Sequence, residues 1–367
     1  RVAWAEIGQG DEIVGILGHL DVVPAGDGWA HDKRGEIAGD RIYGRGVVDD
    51  KGPTLAALFA MKELQDAGTP LKRRVRLIFG QCEEDGDWGD MNYYLEHEEH
   101  VAYGFTPDAD FPAIYGEKGI LEFRLTMPLE GSGLVSIEGG EASNVVPDWA
   151  RCVYLDANGG RQELAAQGRS AHASTPEKGV NAIDKLIEDL LERGVHGKFI
   201  DFYANHLLGD YHGGKLGCGL ADEQSGKLTV NSGLVRIEGE NIVLTLDVRN
   251  PVSYTRSDVE TPLTRLCEKY GMALECTDDL AGVYMDKEGP VIKALLDVYR
   301  TVTGDMSEPT VIGGGTYARA MPGIVAYGPM RPGRECTEHQ RDEYILIEDL
   351  FAAKEIYRQA IERLANL

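Results

Sequence analysis

None of the six cysteines, Cys82, Cys152, Cys218, Cys267, Cys276 and Cys336, forms a C-x-x-C pair. A thiolate zinc site therefore has no support, and a disulfide-stapled scaffold does not suit a chain of 367 residues. Scattered free thiols fit a reducing cytoplasm. No apolar run approaches the ~18 residues that a membrane helix needs. Positive charge is scarce too. The chain has 37 Lys and Arg against 61 Asp and Glu, a formal net charge of −24. Such a chain is repelled by nucleic acid and by anionic membrane surfaces, so neither is an expected partner. No signal peptide is visible, and no initiator Met. Arg1 opens straight into a strand-like run, so the natural chain is expected to begin upstream, and the missing leader carries little weight.

What is present is an ordinary globular balance, 43% hydrophobic and 27% charged, in a length that suggests two domains. The first third alternates strand and helix signals. Ile13 to Leu17 and Val75 to Phe79 are short apolar runs that end at Gly18 and Gly80, and they read as buried strands. Pro53 to Leu64 has helical spacing, and Asp90 to Leu95 continues as helix. The pattern predicts α/β structure on a largely parallel sheet. The middle reads as a small α+β unit, with strands over Leu121 to Met127, Leu134 to Ile137 and Val243 to Val248 and an amphipathic helix over Val180 to Leu191. The first style returns after about Asp286, with a helix over Val291 to Tyr299, a strand over Ile324 to Tyr327 and a closing helix over Leu346 to Leu364. A discontinuous domain interrupted by an insertion is expected, with 1–117 and 285–367 on either side of 118–284. The run from Asp156 to Arg161 is either a tight turn or a place where residues are missing.

Chemistry-bearing residues gather at predicted strand ends. His19 closes a buried strand, where open α/β sheets bind ligands, and Asp21 follows two residues later. A carboxylate there can fix the tautomer of a ligating imidazole, although H-x-D alone equally describes a structural histidine. Asp49 and Asp50 are adjacent carboxylates at a strand-to-helix junction. They repel unless a cation neutralises them, or else Asp50 caps the helix and Asp49 is solvated. Glu83 and Glu84 follow the next strand, where one can ligate a metal while the other sits opposite the attacking water; a solvated acidic turn is the alternative. Asp108 and Asp110 come later, and His339 precedes the closing helix. Together these make a hard N/O ligand set that suits zinc, with manganese or cobalt as substitutes.

These motifs resemble the co-catalytic zinc peptidases related to carboxypeptidase G and succinyl-diaminopimelate desuccinylase, and above all their dipeptidase, or peptidase V, branch. The resemblance runs from about Ile13 to the C-terminus. It rests on Gly18–Pro24, Gly44–Gly52, Glu83-Glu84, Pro107 with Glu117-Lys118-Gly119, Gly168-Arg-Ser-Ala-His172, Gly313-Gly-Gly-Thr-Tyr-Ala-Arg319 and His339-Gln340. It implies a zinc-peptidase-like α/β catalytic domain with an inserted α+β lid domain, and two divalent metal ions. Asp49 would bridge both metals through an expected cis Asp49–Asp50 peptide. His19 and Asp108 would complete one site, and Glu84 and His339 the other. Glu83 would be the general base and Asp21 would orient His19. His172 resembles the lid histidine that stabilises the oxyanion, Asn144 and Arg249 match substrate contacts, and Arg319 is the candidate for the substrate carboxylate. Asp108 is preferred to Asp110 because its spacing of 24 residues from Glu84 fits the family pattern.

Three departures stand out. Glu338 occupies a position where relatives carry a small residue. Cys82 replaces a more usual polar residue. The inserted domain is short for the branch. The implied function is a cytoplasmic metallodipeptidase acting on small peptides, as a monomer or a lid-mediated homodimer. The alternatives are deacylation or desuccinylation of N-acyl amino acids at the same centre, or a metal-binding scaffold without catalysis.

Overall fold

The computed structural model describes residues 2–86 and 88–367. It divides into two compact units. One joins Arg1–Gly116 to Val283–Leu367, and the other is Glu117–Gly282.

The first unit is built on an eight-stranded sheet. Its central order is Arg74–Gly80, Ile13–His19, Tyr103–Thr106 and Ile324–Ala326, all parallel, with Ala3–Ile7 antiparallel at one edge. Every residue of Ile13–His19 is buried, as expected of a central parallel strand covered on both faces. Helices Lys51–Asp66, Pro290–Thr303 and Ile347–Ala365 cover one side, where Ala57, Met61, Leu295, Ile356 and Ile361 join Val14, Ile16 and Leu77 in one core. Met91, Tyr94 and Tyr317 pack with Ile13, Leu17 and Ile78 in another. The first helix lies close against its strand. A Cβ on Gly18 would fall 1.9 Å from the Thr54 hydroxyl, so only glycine fits there. A separate three-stranded sheet pairs Tyr344–Leu346 with Arg41–Tyr43 and that strand with Glu36–Ala38.

The second unit carries a seven-stranded antiparallel sheet, ordered Arg161–Gln167, Trp149–Leu155, Leu134–Gly139, Thr229–Glu238, Asn241–Asn250, Gly119–Pro128 and Ala273–Leu280. Gly119–Pro128 shows the alternation of a half-buried strand. Leu121, Phe123, Leu125 and Met127 face a core shared with Leu186, Phe199, Val259 and Leu263 of the helices Ala182–Glu192, Lys198–His206 and Arg256–Tyr270.

One expectation needs adjusting. The amphipathic helix begins at Ala182, not Val180. Val180 exchanges backbone hydrogen bonds with Arg169, and the Asn181 side chain accepts the Ile183 N–H as the N-cap. The run from Asp156 to Arg161 is a tight turn. Asp156 Oδ1 accepts the N–H groups of Asn158 and Gly160, both at 2.9 Å, and this closes the hairpin between the flanking strands.

Candidate metal centre

Parallel strand ends converge on one point of the first unit. His19 is the last residue of its strand and lies opposite Gly80, the last of the neighbouring strand, after which the chain runs into Glu83 and Glu84. Asp108 follows the end of Tyr103–Thr106, which pairs with the same central strand. The loop before helix Lys51–Asp66 delivers Asp49 and Asp50 across a cis peptide bond.

The donor atoms meet closely. His19 Nε2 lies 2.8 Å from Asp49 Oδ1 and 3.6 Å from Asp108 Oδ1. His339 Nε2 lies 2.8 Å from Asp49 Oδ2 and 3.1 Å from Glu84 Oε2. Asp49 thus presents one oxygen to each imidazole. His19, Asp49 and Glu84 each offer a ligand atom within 4.8 Å of the others. Asp21 lies behind His19. Its carbonyl oxygen is 3.1 Å and its Oδ1 3.4 Å from His19 Nδ1, while its Oδ2 accepts the Glu84 N–H at 3.0 Å. Asp21 therefore contacts the His19 ring and holds the Glu84 backbone at once.

Asp50 behaves differently from either sequence expectation. It stands at the N-cap position but makes no side-chain cap. Its buried Oδ2 accepts the His19 N–H at 3.2 Å and the Thr54 hydroxyl at 2.8 Å, so it braces the strand end instead. Asp110 is exposed and lies near Glu338, whereas Asp108 accepts the Tyr317 N–H at 3.0 Å. Glu338 accepts the Cys336 thiol at 2.6 Å. The Cys82 thiol is held above its usual pKa by burial and by Asp90, as in an inert cysteine.

The electrostatics of this cluster are one-sided. Burial pushes Glu83 up to about 9, with the charges of Asp108, Asp49 and Glu84 adding to it. Burial raises Asp108 to about 6 and lifts Asp50 well above the carboxylate range. Asp49 goes the other way; burial opposes its ionisation, but His19 and His339 outweigh that and hold it low. His339 is pushed up to about 10 by Asp49 and Glu84. Burial disfavours protonated His19, yet Asp108, Asp21 and Asp49 overcome it and raise its pKa. The carboxyl groups around two imidazoles leave a deficit of positive charge, and Asp50 Oδ1 is buried without a hydrogen-bond partner among the described residues. A pair of divalent cations answers that deficit, and the N/O donors are of the right kind.

The other expected site residues fall in two places. Arg319, in the first unit, sits in a short helical turn capped by the Thr316 hydroxyl, and its Nη2 donates to the Gly314 carbonyl at 3.0 Å. Asn144, His172 and Arg249 belong to the second unit. There the Ala173 N–H donates to the Asn144 carbonyl at 2.9 Å, and Val145 bridges His172. Ser174 engages His172 Nδ1 through its hydroxyl at 2.8 Å and its N–H at 3.2 Å. Arg249 is clamped by Asp247, with Nε to Oδ1 at 2.6 Å and Nη2 to Oδ2 at 2.7 Å. Burial, then the Arg249 charge, lowers the His172 pKa. Sequence reading gave no role to Thr54, Tyr317, Asp90, Arg45 and Glu343, all buried groups with polar atoms that support the cluster from behind.

Residues 15–363 match the model of the peptidase family M20/M25/M40. A Bacillus subtilis (strain 168) protein named "Putative dipeptidase YtjP" is 38% identical, over 98% of this chain and 85% of its own length. Among solved structures, the M20 family metallo-carboxypeptidase Sso-CP2 of Sulfolobus solfataricus superposes with a TM-score of 0.61 at 20% identity, covering 100% of this chain and 88% of that one. The aminoacylhistidine dipeptidase of Vibrio alginolyticus gives 0.60 at 14% identity, covering 100% and 87%. These two structures share the fold, a mixed α/β catalytic domain with an inserted lid domain. With the sequence match running through nearly its whole length, the chain belongs to peptidase family M20/M25/M40, a family of metal-dependent peptide-bond hydrolases.

Proposed function

We propose that the protein is a dipeptidase, in which His19, Asp49, Glu84, Asp108 and His339 hold two divalent ions, with zinc the first choice. The observation that carries this is the double engagement of Asp49, one carboxylate oxygen to His19 and the other to His339. When bound, the metal pair supplies Lewis-acid activation of water and of the scissile carbonyl. The remaining work belongs to the chain. Glu83, next to ligand Glu84, is the general base. It takes the proton of the attacking water and returns it to the leaving amine. Its carboxyl is held protonated among its acidic neighbours, and added positive charge beside it would restore the ionised, basic form. Asp21 orients His19. Arg319 is assigned to the substrate carboxylate, where a guanidinium fork favours short peptides with a free C-terminus. His172 is assigned to the oxyanion, and Asn144 and Arg249 to the substrate, on the motifs they occupy. The free thiols fit a cytoplasmic enzyme, and among the described residues no helix is long and apolar enough to cross a membrane.

The test is turnover of zinc- and manganese-loaded protein on a panel of unblocked dipeptides and N-acyl amino acids. Dipeptides are expected to be the better substrates. A preference for the acylated compounds would make the protein a deacylase. Binding of peptides with no hydrolysis would make it a scaffold. Glu83→Gln should keep its metal content and lose roughly 10²–10⁴-fold in kcat; full activity in that variant would reassign the base.

A further inference from the structure

We infer that Glu343 is a positioning residue for the metal centre: its buried carboxylate ties the loop carrying Asp49 to the segment carrying His339 and so sets the approach of these two groups. The inference rests on the reading of Asp49 and His339 as ligands. The two stretches of chain are brought together by the small sheet, in which Tyr344 lies opposite Tyr43. That register sets Glu343 beside Gly44, whose N–H donates to the Glu343 carbonyl at 3.0 Å. The side chain then holds the rest of the loop. Oε2 accepts from Arg45 Nη1 at 2.7 Å, Oε1 accepts the Val48 N–H at 2.9 Å, and the Gly46 N–H reaches both oxygens at 3.0 and 3.1 Å. Asp49 is the next residue.

Glu343 is 0% exposed and Arg45 7%. An enclosed charge pair of this kind is a poor source of stability, because the desolvation cost offsets most of the attraction. What it provides is direction. Arg45, Gly46 and Val48 converge on one carboxylate, Gly44 is held by the Glu343 backbone carbonyl, and the loop has little freedom left. Gly46 has φ +84°, and a Cβ there would run into the Lys51 and Val22 side chains.

The other side needs the same help. The His339 side chain is 54% exposed, so packing does not place it. It sits in the left-handed region at φ 61°. Its segment is tied at Thr337, whose hydroxyl donates to the Tyr344 carbonyl at 3.0 Å, and at Asp342, which accepts the Ala30 and His31 N–H groups at 2.8 and 3.0 Å. Glu343 is the tie that reaches the Asp49 loop itself.

Calorimetric titration of the metal-free protein with Mn²⁺, well below its unfolding temperature, tests this. Glu343→Gln turns one acceptor oxygen into a donor facing N–H groups. It should stay folded by circular dichroism and bind Mn²⁺ about 10–100-fold more weakly, as loss of an outer-shell partner does. Asn181→Ala, which removes a helix cap in the second unit, should lower stability and leave Mn²⁺ affinity unchanged. A Glu343→Gln protein that is less stable yet binds Mn²⁺ like the wild type would overturn the inference, since a merely structural role gives that result. If Glu343→Gln does not fold, Arg45→Lys is read the same way. It keeps the backbone bonds to Glu343 and loses the guanidinium hydrogen bond to Oε2, and unchanged Mn²⁺ affinity in it overturns the inference equally. Wild-type protein that takes up no Mn²⁺ or Zn²⁺ would remove the ligand reading itself, a result distinct from a failed clamp.

Discussion

At the scale of single residues, Tyr317 shows how much of the site depends on groups that perform no chemistry. It is fully buried, with its ring edge-on to His19 at 6.0 Å and stacked on Trp88 at 5.5 Å. Its N–H holds Asp108, and its hydroxyl donates to Asp90 Oδ2 at 2.7 Å. Asp90 Oδ2 also accepts the Gln81 N–H, at the start of the Glu83–Glu84 loop. Gly80 is glycine because a Cβ would lie 2.0 Å from the tyrosine oxygen. Tyr317→Phe deletes a donor to a buried carboxylate. It should cost about 1–3 kcal/mol in urea denaturation; a cost below about 0.5 kcal/mol would mean that Asp90 finds another donor. The supporting roles of Tyr317 and Glu343 were not legible in the sequence, and the reason is physical. Glu343 is one acid among 61, and only the strand register beside Gly44 distinguishes it from a solvated one. Asp49, Glu84 and His339 were singled out through the family motifs they occupy, because each taken alone reads equally well as a solvated carboxylate or a structural histidine.

Elements were legible where a period could be counted. Ile13–His19 is a continuous apolar run, and Gly119–Pro128 alternates. Short strands such as Thr310–Ile312 and Arg41–Tyr43 have no period to detect and exist through their partners. Helix Ala182–Glu192 was found by its apolar stripe, and its polar side holds something the stripe could not show. Asp184 accepts the Tyr203 hydroxyl at 2.7 Å, and burial raises its pKa from 3.8 to about 6. Because the folded value lies above the unfolded one, the folded unit takes up this proton first. The contribution to stability is complete below about pH 4 and is lost as pH rises through about 6. Asp184→Asn mimics the protonated form. Between pH 4 and 7 the wild type should lose about 1–3 kcal/mol relative to this variant in urea unfolding. A difference that does not change with pH would show that the carboxylate is well solvated in the folded protein.

For the molecule as a whole, the question is where metal binding registers as stability. All five proposed ligands lie in Arg1–Gly116 and Val283–Leu367, and none in Glu117–Gly282. A ligand that binds only the folded state adds RT ln(1 + [L]/Kd), about 2.7 kcal/mol at a hundredfold excess over Kd. Chelation should therefore lower the unfolding of the first unit by about that amount. The effect is aided by returning uncompensated carboxylates to a chain whose formal net charge is already −24. The second unit has its own reporter in Asp184. In scanning calorimetry, the transition that Asp184→Asn shifts at pH 7 should be the one that chelation leaves in place. If chelation and Asp184→Asn move the same single transition, the two units unfold as one. In that case the stability supplied at the metal centre is shared by the whole chain, and a mutation in either unit changes the metal concentration needed to keep the protein folded.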